Sequence, residues 1–335
     1  MRILVTGGGG FLGGAIVQQL LERGDEVTTL SRSMHANLQA IGVEQKLGDL
    51  GDSSAVRRAV EGCAQVIHVA SKVGAWGPSE AFEATNVVGT DNVLAACLRA
   101  GVESLVYTSS PSVICSGADI EGGDESLPYP ADYEADYPRT KAIAERAVLA
   151  ADAPGFRTVA LRPHIVWGPR DTSLVARVVA RARAGKLRRF SGPEKLIDVC
   201  YVDDAARAHL LAGACLSGGG EDANRVGGKA YFITSGVPVE TWTMIDRIVE
   251  AAGLPKIEKT ISPRMARLAG GVLESLYRAV GREREPMMTR WVAQELATAH
   301  WFDITAARRD LGYEPRVSLD EGMKRLRVWL ATAEI

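Results

Sequence analysis

The sequence predicts an α/β fold, a doubly wound parallel sheet with a smaller C-terminal region. Short apolar runs alternate with helical patterns at a period of roughly 25–35 residues, as repeated βα units require. The first run passes directly into a glycine cluster and then a helix. Turn residues suited to holding a ligand fall at the carboxyl ends of the runs, where parallel sheets open their crevices. Strands are expected at 2–6, 26–30, 43–46, 65–69, 104–109 and 158–162, and helices at 13–23, 53–61, 85–100 and 137–151.

Arg2-Ile3-Leu4-Val5-Thr6 reads as a buried strand. Gly7-Gly8-Gly9-Gly10-Phe11-Leu12-Gly13-Gly14 follows, then a helical pattern from Ala15 to about Arg23 that Gly24 stops. Strand, glycine turn and helix together form the context of a dinucleotide fingerprint, in which glycines let the backbone approach a pyrophosphate at the helix N-terminus. Two registers fit, Gly7-x-x-Gly10-x-x-Gly13 and Gly8-x-Gly10-x-x-Gly13. The first is preferred because Val5-Thr6 ends the strand directly before Gly7. Phe11 and Leu12 lie inside this loop.

The second strand, Glu26 to Leu30, ends at Ser31-Arg32-Ser33. An acidic residue there would hold an adenosine 2′-hydroxyl, as NAD requires. A guanidinium with hydroxyls suits a 2′-phosphate, so NADP(H) is expected, with NAD as the alternative. Further along, Asp49-Leu50, Val69-Ala70-Ser71 and Ser109-Ser110 also fall at strand ends.

On the helix expected at 137–151, Tyr137 and Lys141 are four residues apart and share one face. A phenol near pH ~10 is a poor base and a serviceable acid, and a neighbouring ammonium favours its anion. Such a pair exchanges a proton with a carbonyl or an alcohol, which is half of a ketone/alcohol redox reaction. Ser110, at the end of Leu105-Val106-Tyr107-Thr108, is expected to hold the reacting oxygen against Tyr137. Ser109 is expected to serve structure or cofactor contact.

Composition limits the alternatives. Lys plus Arg number 39 and Asp plus Glu 41, a net charge of −2, so no basic face for nucleic acid is implied. Cys63, Cys97, Cys115, Cys200 and Cys215 show no CxxC spacing, which argues against zinc or a disulfide framework and fits a reducing cytoplasm. The histidines form no HxxxH pair, so no metal is expected. Met1-Arg2 runs straight into the first strand, so no leader is expected. The stretch Met265–Val280 is too short and too charged to span a bilayer, but its apolar positions recur at helical spacing. It is expected either to pack on the body or to act as a lid or an interfacial contact.

Taken together, Thr6-Gly7-x-x-Gly10-Phe11-x-Gly13, Tyr137-x-x-x-Lys141 and the upstream serine resemble the extended short-chain dehydrogenases/reductases, over nearly the whole chain. Gly48-Asp49-Leu50, Asn86-Val87-x-Gly89-Thr90, Leu161-Arg162-Pro163, Trp167-Gly168-Pro169-Arg170-Asp171 and Tyr201-Val202-Asp203-Asp204 extend the match. The resemblance implies a Rossmann domain over 1–166, to which a segment near 197–235 returns, and a mainly substrate-binding region over 167–335. It also implies that Asp49 and Leu50 flank the adenine and that Val69, Ala70 and Ser71 line the inner cofactor. By the same resemblance Pro163, Ile165 and Val166 pass beside the nicotinamide, and Lys141 holds its ribose.

Within the family, Glu145-Arg146-Ala147-Val148-Leu149, Arg162-Pro163-His164 and Gly227 to Thr234 resemble the 3β-hydroxysteroid and sterol-4α-carboxylate 3-dehydrogenase branch. Ser71 to Pro78, Gly122 to Pro130 and His300-Trp301-Phe302-Asp303 are similar to the bacterial 2-alkyl-3-oxoalkanoate reductases of olefin biosynthesis. Both likenesses imply a hydrophobic small molecule with a carboxylate beside the reacting carbon. Lys72, Arg139, Arg162 and Arg170 are the candidates to pair with it, Lys72 first. Trp76 and Trp167 are read as core aromatics first and pocket walls second. The implied reaction is NADPH-dependent reduction of a β-keto acid. Alternatives on the same residues are an NAD(P)-dependent hydroxysteroid or sterol dehydrogenase, a nucleotide-sugar epimerase or dehydratase, and a non-catalytic NADP-sensing binder. Family likeness also suggests a homodimer through the helices near 85–100 and 137–151.

Overall fold

The computed structural model describes residues 1–282 and 284–333. Seven strands build one parallel sheet: β1 (Arg2–Thr6), β2 (Glu26–Ser31), β3 (Glu44–Leu47), β4 (Gln65–His68), β5 (Ser104–Thr108), β6 (Arg157–Pro163) and β7 (Lys229–Ile233). Their spatial order is β7-β6-β5-β4-β1-β2-β3. Leu4 of β1 sits opposite Thr28 on one side and Val66 on the other. The chain therefore winds outward from β1 to β3, returns beside β1 as β4, and winds the other way. That reversal leaves a crevice at the carboxyl ends of β1 and β4.

Helices cover both faces: α1 (Phe11–Arg23), α2 (Ser53–Val60), α3 (Gly89–Ala100), α4 (Asp136–Ala150) and α5 (Val202–Ser217). Ile16, Val17 and Leu20 of α1 and Ala205, Ala208 and Ala212 of α5 share one apolar cluster with Ile3, Val5 and Ile67 of the sheet. Val56 and Val60 of α2, Val93 and Cys97 of α3 and Val148 of α4 share another with Leu4, Val66 and Leu105. Strand residues that alternate in sequence thus feed opposite cores, and both faces are dry. A third cluster, with Trp167, Val175, Tyr201, Trp242, Ile248 and Leu326, forms the C-terminal part. There α6 (Pro263–Ala279) packs on α7 (Arg290–Glu295).

All six expected strands are present, with ends moved by a residue or so. β4 stops at His68 because the next two backbone N–H groups, of Val69 and Ala70, donate to Thr6 Oγ1, both at 3.1 Å. The helix expected at 85–100 is regular only from Gly89. Before it, Glu83–Val88 widens into a π-helix. Buried Asn86 lies in that widened turn, where it accepts from Lys72 N at 2.7 Å and donates to Thr140 Oγ1 at 3.0 Å. A π-turn admits one extra residue, and such turns recur at functional sites. α5 and β7 were not among the expected elements, although the apolar spacing of Ala205, Ala208, Ala212 and Leu216 is helical.

One ion pair fixes α4 against the sheet. Arg162 on β6 donates to both carboxylate oxygens of Glu145 on α4, at 3.0 and 2.6 Å, and the two side chains are 3% and 0% exposed. Removing one partner from a buried pair strands a charge, which costs about 3–5 kcal/mol. Glu145→Ala is therefore expected to lower unfolding free energy by about 3 kcal/mol or more, measured in urea. Glu145→Leu combined with Arg162→Met should recover most of that loss; a double variant no more stable than Glu145→Ala would refute the stranded charge as the cause.

Candidate active site

The glycine loop closes on itself. Gly7 has φ +71°, which favours glycine, and Gly10 N donates to Gly7 O at 2.9 Å. A Cβ on Gly13 would come within 2.1 Å of Gly7 O, and one on Gly7 within 2.9 Å of Ala70 Cα. α1 starts immediately after, capped by the extended Gly10, so its first N–H groups face outward with no side-chain cap. This is a cradle for an anion at a helix N-terminus.

A crevice of about 380 Å³ opens above the loop. Gly7, Gly10, Phe11, Leu12 and Gly13 form its floor; Ser31 and Arg32 stand at the end of β2, Asp49 and Leu50 after β3, and Val69, Ala70 and Ser71 after β4. Twelve residues drawn from four separated stretches of sequence thus meet around one space. Arg32 is exposed, and no carboxylate pairs with it among the described residues. Ser31 Oγ donates to Ser33 O at 2.8 Å and shapes that turn. His35 also lines the crevice and was missed by sequence reasoning. Its ring lies so near Gly9 that a Cβ there would come within 2.3 Å, and Gln45 holds its backbone at 2.8 and 3.1 Å. Nothing in a lone histidine of a polar loop signals that position.

Three other expected cofactor residues, Pro163, Ile165 and Val166, do not line this crevice. Pro163 ends β6, and Val166 pairs with Cys200. Between them Ile165 takes φ +41°, an outlier for a β-branched side chain and a place where the fold holds strain.

Tyr137, Lys141 and Ser110 converge where α4 meets the end of β5. Lys141 is 2% exposed; its Nζ donates to Thr108 O at 2.5 Å and lies 4.1 Å from the centre of the Tyr107 ring. Burial pushes the ammonium down to about 7, opposed by Glu145 one turn further along. Burial also raises the Tyr137 phenol above its ordinary value, and a hydrogen bond with Ser110 pulls the other way. In this arrangement the Lys141 ammonium is turned to the Thr108 carbonyl, and burial is the larger influence on the phenol. Ser110 Oγ also meets Ser112 Oγ at 2.9 Å and caps the short turn Pro111–Ile114. Ser109 N donates to Leu161 O at 2.6 Å, while its buried Oγ has no partner among the described residues. Such a hydroxyl is costly unless something completes it.

Beside Tyr137 lies a second cavity of about 450 Å³, walled by Trp76, Phe82, Tyr277 and Trp291 with Arg278 and Arg282 at its edge. The Trp291 ring is 6.2 Å from that of Tyr137. Trp291 comes from far along the chain, and no sequence signal marked it. The segment after β4 is shared: Val69, Ala70, Ser71 and Val73 line the crevice, and Ala75 to Pro78 line the cavity. Trp76 donates from Nε1 to Arg282 O at 3.0 Å, so it is tied to the C-terminal part. Lys72 is half-buried, its Nζ 4.9 Å from the centre of the Phe82 ring, and it forms no ion pair among the described residues.

The other carboxylate candidates are differently placed. Arg139 is engaged by Glu83 at 2.6 Å and Asp136 at 2.8 Å, and Arg162 by Glu145. Arg170 is exposed with φ +72°. Trp167 lines neither cavity. It is 1% exposed, packed edge-on to Tyr201, with Gly322 so close that a Cβ would come within 2.6 Å of its ring.

Comparison with known proteins agrees with this geometry. Residues 4–264 match the 3-beta hydroxysteroid dehydrogenase/isomerase family. A 2-alkyl-3-oxoalkanoate reductase of Stenotrophomonas maltophilia is 45% identical over 98% of each chain. A sterol-4-alpha-carboxylate 3-dehydrogenase of Mus musculus is 36% identical over 97% of this chain and 89% of its own. Among solved structures, a UDP-glucose 4-epimerase of Thermus thermophilus in complex with NAD superposes with a TM-score of 0.75, at 26% identity over 100% of both chains. With a parallel sheet wound about the crevice and full-length relatives named as reductases and dehydrogenases, the chain belongs to the 3-beta hydroxysteroid dehydrogenase/isomerase family and is an oxidoreductase of CH–OH and C=O groups.

Proposed function

We propose that the protein reduces a β-keto acid, a 2-alkyl-3-oxoalkanoate, to the 3-hydroxy acid with NADPH, Tyr137 giving the proton. The observation that carries this reading is the meeting of Tyr137, Ser110 and Lys141 at the end of β5, between a glycine-cradled crevice and an aromatic cavity. A relative named for this reaction at 45% identity supports the substrate class. The dinucleotide, when bound, supplies the hydride. Gly7, Gly10 and Gly13 would hold its pyrophosphate, Asp49 and Leu50 its adenine, and Ile165 and Val166 would border its nicotinamide. Arg32, at a strand end without a carboxylate, would pair with a 2′-phosphate; its free guanidinium supports NADPH over NAD.

The chain's own residues then handle the proton. Tyr137, held above its ordinary value by burial, is a phenol at neutral pH and stands ready as the acid. Its Oη–H bond breaks as the proton passes to the oxygen of the reduced carbon. Ser110 orients that oxygen and, with Lys141 as an ammonium, steadies the phenolate left behind. Lys72, without an ion pair among the described residues and beside the cavity, would receive the substrate carboxylate, and Trp76 and Trp291 its alkyl chains. The relative named as a sterol-4-alpha-carboxylate 3-dehydrogenase favours a second reading, oxidation of a 3-hydroxy sterol acid on the same residues. Residues 1–166 with the β7 segment would form the cofactor half and 167–335 mainly the substrate half. Leu98 and Ile143, exposed on α3 and α4, would meet a second copy.

Tyr137→Phe should cut kcat by about 10²–10⁴ while leaving NADPH affinity within a few fold. Near-normal turnover, followed as NADPH oxidation with a 2-alkyl-3-oxo acid, would sink the assignment. Arg32→Ala should raise the KM for NADPH about tenfold or more and barely change that for NADH; equal effects would remove the 2′-phosphate role. The sign of the pH dependence follows from Lys141, which is charged below about 7 and neutral above it. Reduction, measured as kcat/KM, should fall as pH rises through that value, and Lys141→Met should lose this step along with most of the rate.

A further inference from the structure

Gly9 is glycine on account of another residue. The fingerprint Gly7-x-x-Gly10-x-x-Gly13 leaves it at a free position, and no left-handed φ calls for glycine there, as one does at Gly7. What excludes a side chain is space. A Cβ on Gly9 would overlap Cδ2, Nε2 and Cε1 of the His35 ring, its three nearest atoms. His35 is held in that position by its backbone, which donates from N to Gln45 Oε1 at 2.8 Å and accepts at O from Gln45 Nε2 at 3.1 Å. Leu38, 1% exposed, anchors the short helix that follows, Ala36–Ala40, in the core. The imidazole does not cap that helix, and neither of its nitrogens has a hydrogen-bond partner among the described residues.

The ring stands in the wall of the crevice with Arg32 and Ser33. The donors at this end of β2 can be sorted. Ser31 has given its hydroxyl hydrogen to Ser33 O at 2.8 Å, so Arg32, Ser33 and His35 are left to meet a ligand. Asp49, the one acid among the described lining residues, turns Oδ1 to Gly51 N at 2.8 Å. The first turn of α1 carries no acid either. A guanidinium fork, a hydroxyl and an imidazole N–H, with no carboxylate among them, suit a group with several acceptor oxygens and a negative charge, which is a phosphate monoester. The end of the second strand is where a crevice of this kind reads the adenosine ribose.

We propose that His35 selects the cofactor: its ring N–H donates, together with Arg32, to the 2′-phosphate of the dinucleotide, and Gly9 is the gap that lets the ring take its place. The inference rests on the NADPH reading above and adds to it a second residue that discriminates. It also gives Gly9 a function of its own, since alanine there would push the imidazole out of the wall before meeting any backbone.

The test is calorimetric titration of the full chain with NADP⁺ and with NAD⁺, which differ by the 2′-phosphate alone, so that binding is read without turnover. The unaltered protein should bind NADP⁺ the more tightly. His35→Leu should lower that preference about tenfold and leave the Kd for NAD⁺ within about twofold. Gly9→Ala should do the same by displacing the ring, and Gly9→Ala combined with His35→Leu should lose no more than either alone. His35→Lys, which restores a positively charged donor, should recover part of the preference. Thermal unfolding and the NAD⁺ titration check that each variant is folded. Equal weakening of both nucleotides by His35→Leu makes the ring a wall of the crevice and overturns the proposal, as does an unchanged preference. The NADPH reading fails in a different way: an unaltered protein that binds the two nucleotides alike refutes both, whereas a preference abolished by Arg32→Ala and kept by His35→Leu refutes the role of His35 alone.

Discussion

The arrangement around Tyr137 depends on the Glu145–Arg162 pair. Tyr137, Lys141 and Glu145 follow one another at successive turns of α4, so a single stripe runs from the site into the core. At its inner end, the two parallel donors of Arg162 fix both the height and the rotation of the helix on β6. Aliphatic packing alone would tolerate small slides along the same contact. Two further attachments bear on the same helix, Lys141 Nζ to the Thr108 carbonyl and Asn86 to Thr140. Three attachments from three different elements leave the phenol little freedom to wander, which is what a proton donor requires.

Much of this was legible in the sequence because local chemistry dictated it. β-Branched runs, a glycine loop between strand and helix, and a four-residue Tyr–Lys spacing each have one economical structural solution. The crevice residues could be chosen individually because the strand-end rule applies to each strand separately. What stayed hidden was made by tertiary contact. Trp291 reaches Tyr137 only once α7 packs beneath α6, and His35 reaches Gly9 only through its hold on Gln45. Asp204 looks like a plain N-terminal helix acid, yet it accepts from Arg316 N and Val317 N at 2.9 Å and anchors the distant C-terminal segment. Asp136, three residues before Arg139 on the same helix, is a sequence sign of an ion pair, but nothing in the sequence shows that Glu83 claims Arg139 as well. Its charge is available on paper and committed in space.

Burial is the largest influence on the charges of the site. The same burial that holds the Tyr137 phenol in its protonated form drives the Lys141 ammonium down to about 7. Both groups are therefore biased toward neutrality, and a charge that develops there would be felt strongly by its few neighbours. The Tyr107 ring lies under the lysine and the Trp291 ring beside the tyrosine. The segment running from Val69 to Pro78 separates crevice from cavity, and Asn86 grips it at Lys72 from both sides of the peptide.

The π-helix at Glu83–Val88 bears on what lengths of chain this gene can encode. A regular helix turns about 100° per residue, so removing one codon from this stretch would return it to α-geometry and swing everything before it through that angle. Phe82 would leave the core and Ser79 would leave Asp136. A codon lost from the exposed glycine run Gly218–Gly220, which links α5 to the short helix Gly220–Val226, would meet no such demand. Natural variation in length should therefore collect at the second place and be purged from the first, a frameshift-free reading of where the helix carries its extra residue.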